Sequence, residues 1–127
     1  MKPPAIEELQ GCCERMCRAW QQILRLQDWN IQVEVVRYHG FENDEASGET
    51  ESSIRLKEAK IRLLDPRDNR PKWSDTFCDL EAVLVHELLH LHMEGFSHRE
   101  DAAKERAEEQ AVDLIAWALV SVARGKA

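Results

Sequence analysis

The chain has 127 residues, of which 43% are hydrophobic and 32% are charged, and its 24 acidic and 17 basic side chains leave a formal net charge of −7. A chain of this length and composition builds one globular core, so we expect a single domain over 1–127. The acidic balance argues against nucleic-acid binding, because no basic surplus is present to neutralise phosphates.

The sequence contains no segment typical of a membrane span or a secretory signal. No apolar stretch reaches 18 uncharged residues, and the N-terminus, MKPPAIEELQ, lacks an apolar region with a small-residue cleavage site. We therefore expect a cytoplasmic protein that does not bind membranes. The cysteines form a poor disulfide framework and are expected to be reduced. They are Cys12, Cys13, Cys17 and Cys78.

The first part of the chain predicts a helix followed by a strand. Apolar side chains recur at spacings of three and four over 6–28, which is the period of a helix. Over 31–38, apolar and polar side chains alternate, which is the period of a half-buried strand.

The middle of the chain predicts a loop and then one or two further strands. Residues 41–53 are acidic and rich in Gly, Ser and Asn, so they are predicted to be a solvated loop. Residues 54–57 and 59–64 are predicted strands. The following segment, DPRDNRP over 65–71, ends any regular structure, because its prolines and turn-forming residues oppose both helix and strand.

Two helices are predicted after this break. The first is capped by Ser74 or Asp75 and ends near Glu94, where Gly95 stops it. The last covers 98–123 and begins with a capping box.

That capping box pairs Ser97 with Glu100, three residues later. The order of elements is then helix, two or three strands, helix and helix. This order predicts an α+β fold in which a small twisted sheet of two to four strands packs against helices.

The sequence His86-Glu87-Leu88-Leu89-His90 carries the chemistry of the chain. Residues four apart lie on one face of a helix, so both imidazoles can bind one metal ion. Glu87 lies about 100° around the helix from His86. There it can accept a proton from a metal-bound water without becoming a ligand. The pattern predicts one zinc ion on the first of the two helices.

Zinc needs a third protein ligand and an open position for water. The candidates on the last predicted helix are Glu105, Glu108 and Glu109. Asp113 favours Glu109, because an acid one turn further along the same face can accept the outer N–H of a ligand histidine. Asp113 is also the only charged residue over 111–123. Glu105 lies a turn further from it, and Glu108 is predicted to point elsewhere.

These motifs resemble the gluzincin metallopeptidases, in which H-E-x-x-H is followed on a later helix by a ligand Glu with an Asp four residues on. Residues 109–113 (EQAVD) match that spacing, without the family's Asn before Glu and Ser before Asp. The chain is most similar to the minimal gluzincins and the small phage-type metallopeptidases. Those pair a W-x-I-x-V strand with an A-x-I-x-L strand, here 29–33 and 59–63.

The resemblance implies a zincin-like fold and a zinc metallopeptidase that hydrolyses peptide or protein substrates. Its metal ligands would be His86, His90 and Glu109, and Glu87 would be the catalytic general base. In the family an edge strand beside the site binds extended substrate, and 59–64 would take that place. The resemblance also implies an oxyanion-stabilising side chain, for which Tyr38 and His98 are the candidates.

So small a chain leaves a shallow cleft, so weak or latent activity is expected. The alternative is a zinc-containing regulatory or interaction protein with the same fold and no proteolysis, such as a phage-encoded protein in the host cytoplasm. A third reading is a metal-free helical interaction domain. The oligomeric state is not predicted.

Overall fold

The computed structural model describes residues 5–41, 47–68, 79–96 and 100–125. Within them the chain is α+β, with three α-helices and a three-stranded mixed sheet, as the order of predicted elements implies. The helices are α1 (Ile6–Ile23), α2 (Leu80–Met93) and α3 (Ala102–Ala123). The strands are β1 (Asn30–Val36), β2 (Gly48–Ser53) and β3 (Glu58–Leu64).

The helix α1 ends at Ile23, before the predicted end at 28. The chain reverses there because Arg25 adopts the left-handed conformation, with φ of 61°, and the Leu26 N–H donates to the Gln21 carbonyl at 2.7 Å. The buried Gln21 amide then donates to the carbonyls of Leu26 and Trp29 at 3.1 and 3.0 Å. These hydrogen bonds give backbone groups of the loop before β1 their partners, so no further helical turn is needed there.

The central strand of the sheet is β3, which pairs in parallel with β1 and antiparallel with β2. The strand predicted over 59–64 is thus confirmed. The expectation that it would be the edge strand beside the site is wrong, because both of its edges are already hydrogen-bonded. The edge nearest α2 belongs to β2 instead.

The existence of β2 corrects the prediction of a loop over 41–53. Its sequence, GETESS, has no apolar side chain, so it shows no alternation of apolar and polar residues. Backbone pairing with β3 holds it in place, helped by Arg62 of β3, which lies 3.7 Å from Glu49 and 2.9 Å from Glu51. Cross-strand charge pairs of this kind stabilise a polar strand that local propensity alone would leave irregular.

The strand predicted over 54–57 is also wrong. These residues form the turn that reverses the chain from β2 into β3. The Lys57 N–H donates to the Ile54 carbonyl at 3.2 Å, and Lys57 has a φ of 51°, which is turn geometry.

The site helix α2 begins at Leu80 because the Asp79 side chain accepts the Ala82 N–H at 3.0 Å. The predicted caps Ser74 and Asp75 lie outside the described residues. The helix ends at Met93 and continues as a short 3-10 turn over Glu94–Phe96, close to the predicted end.

The last helix, α3, begins at Ala102, where the Asp101 side chain accepts the Lys104 N–H at 3.1 Å. The predicted capping box is wrong, because Glu100 lies before α3 and Asp101 caps the helix instead; Ser97 and His98 lie outside the described residues. The helix ends at Ala123 as predicted.

The core is built from one side of every helix and from the inner faces of β1 and β3. Cys13 and Cys17 belong to it, and burial raises the pKa of each thiol to about 11. Cys12 is exposed, and Cys78 lies outside the described residues. The largest fully buried apolar side chains are Leu26, Ile31, Ile61, Leu63, Leu84, Val85, Leu88 and Val120. No described helix is both long and apolar enough to cross a bilayer.

Three helices meet in a polar network at the N-terminus of α2. The Trp20 indole N–H donates to Glu81 at 2.8 Å. The Arg124 guanidinium, just after α3, donates to Asp79 at 2.7 Å and to Glu81 at 2.9 Å. This network joins α1, α2 and the end of α3.

Candidate metal centre

His86 and His90 lie one turn apart on α2, with their Nε2 atoms 3.2 Å apart. The other sides of the helix are buried, which holds this face in place. The buried apolar residues of α2 are Ala82, Val83, Leu84, Val85, Leu88 and Leu91. The spacing of four therefore brings both rings to one point, as the sequence predicts.

Glu109 of α3 completes the group. Its Oε2 lies 3.0 Å from His86 Nε2, and its Oε1 lies 2.8 Å from His90 Nε2. One ligand atom from each of the three residues lies within 4.8 Å of the others. The three side chains come from two helices and converge on one point.

This donor set fits a first-row transition ion such as zinc. Zinc–nitrogen bonds of 2.0–2.1 Å in a tetrahedral arrangement keep the donor atoms about 3.3 Å apart. The two Glu109 oxygens lie 2.8 and 3.0 Å from the two imidazole nitrogens, which are 3.2 Å from each other, so the group would have to open to admit an ion. Imidazole nitrogens favour zinc, copper, iron or nickel over magnesium or calcium, which prefer oxygen ligands.

The three glutamates proposed for the third position occupy different places. Glu109 alone belongs to the group, whereas Glu105 is exposed in the first turn of α3. The prediction that Glu108 points away from the histidines is wrong. Its Oε2 lies 3.7 Å from Nδ1 of His90. The reason is that α3 crosses α2 closely enough for two consecutive residues to face it.

Both histidines therefore have a carboxylate behind the ring. Asp113 Oδ1 lies 3.4 Å from Nδ1 of His86, as expected, and Glu108 stands behind His90. At 3.4 Å, Asp113 is placed as the acid behind a metal-ligating histidine usually is, whereas the 3.7 Å contact of Glu108 is an ion-pair distance and not a hydrogen bond.

The charges within the group are strongly coupled. Hydrogen bonds from His86 and His90 hold the pKa of Glu109 far below its usual range. Burial alone lowers the pKa of each histidine, but the hydrogen bond to Glu109 and the neighbouring acids raise it overall. The group thus favours positive charge at its centre, and a divalent cation would compete with protons for that place.

Glu87 lies outside the ligand group and faces the sheet. It is 7% exposed, and burial raises the pKa of its carboxyl. Its Oε1 accepts a hydrogen bond from Thr50 Oγ1 of β2 at 2.6 Å. A carboxylate next to the ligands that does not itself converge with them is the arrangement expected of a general base.

Comparison with protein-family models, with curated proteins and with solved structures yields no match to this chain. The gluzincin resemblance therefore stays a prediction. The chemistry open to the three-residue group and the adjacent acid is therefore inferred from their geometry.

Among the described residues, Tyr38, His39 and His92 lie outside the group and make other contacts. Tyr38 lies in the 3-10 turn after β1, where its ring packs edge-on against His39 and its backbone N–H donates to Asp68. His92 faces away from the metal group, as predicted, and its Nε2 lies 2.6 Å from the Leu24 carbonyl. His98 lies outside the described residues, so neither candidate for the oxyanion role is brought to the centre by a described contact.

Sequence reasoning did not identify Thr50 and Gly48. Both lie on β2, and a Cβ at Gly48 would stand 2.7 Å from Val83 and 3.1 Å from Glu87. The available signal was the alternation of small side chains at 48, 50 and 52 with the acids Glu49 and Glu51. Small residues at alternate positions mark a strand that passes close to another element.

Proposed function

We propose that this chain is a zinc-dependent metallopeptidase with a zincin-like fold. Zinc would be held by His86, His90 and Glu109, and Glu87 would be the general base. The observation that supports this most directly is the convergence of three ligand atoms within 4.8 Å, from two helices, beside a buried carboxylate that is not a ligand.

When bound, zinc would polarise the scissile carbonyl and lower the pKa of a coordinated water. Glu87 would accept a proton from the attacking water and pass it to the leaving amine. Asp113 would help to orient the His86 imidazole toward the ion, and Glu108 would add negative charge beside His90. Glu109 is 58% exposed at its side chain, whereas the histidines are 15% and 18% exposed, so the centre opens to solvent on the Glu109 side.

The substrate would be a peptide or protein segment in extended conformation. The edge of the sheet beside α2 is β2, and among the described residues it pairs only with β3. An extended peptide can add to such an edge through backbone hydrogen bonds. The role that the resemblance implied for 59–64 therefore passes to Gly48–Ser53. We propose a cytoplasmic setting, as expected for a chain with reduced cysteines.

The second candidate function is a zinc-containing regulatory or interaction protein without proteolysis. It is favoured by one observation. Tyr38, a candidate for stabilising the oxyanion, is held in an exposed turn by contacts with His39 and Asp68. A centre with no electrophilic side chain would bind zinc and turn over slowly or not at all.

Zinc content and activity separate these functions. Purified protein is expected to contain one zinc per chain, and His86→Ala is expected to lose it. Glu87→Gln is expected to retain the zinc and to lose cleavage of fluorescein-labelled casein. A wild-type protein with full zinc that cleaves no faster than Glu87→Gln would contradict the peptidase and favour the second candidate. Absence of stoichiometric zinc would contradict both.

A further inference from the structure

The carboxylate of Glu87 is framed by two residues of β2. Thr50 Oγ1 donates to Oε1 at 2.6 Å. Gly48 lies against the other oxygen, since a Cβ there would stand 3.1 Å from Oε2 and 3.1 Å from Cγ of Glu87. The strand thus contacts both sides of the proposed base, although it supplies none of the metal ligands.

The hydrogen bond distinguishes the two carboxylate oxygens. A threonine hydroxyl has one proton to donate, and here it goes to Oε1. No described hydrogen bond reaches Oε2, which makes it the more available of the two oxygens to accept a proton from water. A buried carboxylate also needs a donor to offset the loss of hydration, and at 7% exposure Glu87 has little solvent to supply one.

We propose that Thr50 is a positioning residue that holds the Glu87 carboxylate in one orientation by anchoring Oε1 to the edge strand, which leaves Oε2 to accept the proton of the reacting water. This inference rests on the proposed function, because it assigns Glu87 the role of base. Thr50 does not touch the metal group, so it acts through Glu87 alone.

Substitutions at Thr50 separate the hydroxyl from the shape of the side chain. Thr50→Val keeps the volume and removes the donor, whereas Thr50→Ser keeps the donor. Ser121 lies in the last turn of α3, outside β2 and outside the metal group, so Ser121→Ala is the control for loss of a hydroxyl. Each full-length, zinc-loaded variant is assayed for zinc content, for kcat and KM on fluorescein-labelled casein, and for the carboxyl carbon-13 resonance of Glu87, assigned by its loss in Glu87→Gln.

Thr50→Val is expected to keep its zinc and its KM and to lower kcat about tenfold, the effect of a misplaced catalytic group held by one charge-assisted hydrogen bond. Thr50→Ser should restore kcat, and Ser121→Ala should match the wild type. The Glu87 resonance should move in Thr50→Val and stay in place in Thr50→Ser. Unchanged kcat in Thr50→Val, loss of zinc along with activity, or no rescue by serine would overturn the inference.

Failure of the proposed function has a different signature. If wild type and Glu87→Gln both leave casein uncut, the peptidase is contradicted, and the resonance then decides whether Thr50 positions Glu87. A shift confined to Thr50→Val supports the positioning contact without catalysis. An unmoved resonance overturns it.

Discussion

Asp113 stands 3.4 Å behind His86, with its Oδ1 facing the ring nitrogen opposite to the one that meets Glu109. The two acids lie one turn apart on α3, and one imidazole lies between them. The same helix therefore supplies one candidate ligand, Glu109, and the acid that lies behind another, His86. The affinity of the centre for zinc should depend on both.

Asp113→Ala should weaken zinc binding by about 10- to 100-fold, because the His86 ring loses the acceptor that orients it. Glu105→Ala is the matched control, since Glu105 is an exposed acid on the same helix and outside the group. Competition with a chromophoric zinc chelator measures both. Equal affinities in the two variants would show that Asp113 does not support the centre.

Gly48→Ala should destabilise the fold by about 1–3 kcal/mol, because the added methyl would stand 2.7 Å from Val83 Cγ1, where β2 meets α2. Gly95→Ala provides the comparison, since a Cβ there has nothing within 4 Å. Urea unfolding monitored by tryptophan fluorescence gives the free energy of unfolding for each. A Gly48→Ala protein as stable as Gly95→Ala would show that the strand can move away from the helix at little cost.

Asp79→Ala should lower the free energy of unfolding more than Asp101→Ala does. Each aspartate caps a helix, through Ala82 and Lys104 respectively, and loss of such a cap costs about 1 kcal/mol. Asp79 also pairs with Arg124 at 2.7 Å, so its removal loosens α3 against α2 as well. Thermal unfolding followed by circular dichroism shows which of the two variants is less stable. We also expect zinc binding to weaken in Asp79→Ala and to stay unchanged in Asp101→Ala.

The pair between Arg37 and Asp68 predicts a pH dependence of stability. The hydrogen bond from Arg37 lowers the pKa of Asp68 from 3.8 to about 2. A carboxyl with a depressed folded-state pKa stabilises the fold above its unfolded-state value and loses that contribution as pH falls through the folded-state value. The stability advantage of wild type over Asp68→Asn should therefore be constant from pH 7 to about 5 and should shrink between about pH 4 and 2. A gap in urea midpoint that is the same at pH 6 and pH 2.5 would refute this.

The periodicity of apolar and polar residues was sufficient to predict features that depend on residues close together in the sequence. The helices around His86 and Glu109, the strands β1 and β3 and the coarse α+β class follow from spacings of three, four or two. The direction of His92 away from His86 and His90 follows in the same way, because two residues along a helix turn a side chain to another face.

The tertiary structure alone decided features that depend on elements far apart in the chain. The segment GETESS carries no apolar pattern, and only its pairing with β3 makes it a strand. That strand then brings the Thr50 hydroxyl into hydrogen-bond contact with Glu87, 37 residues later in the chain. Likewise Glu105, Glu108 and Glu109 share one helix, and their places relative to the histidines are set by how closely α3 crosses α2. Side-chain spacing along one helix is local geometry that a sequence encodes directly, whereas the pairing of strands and the approach of helices depend on the packing of the whole core.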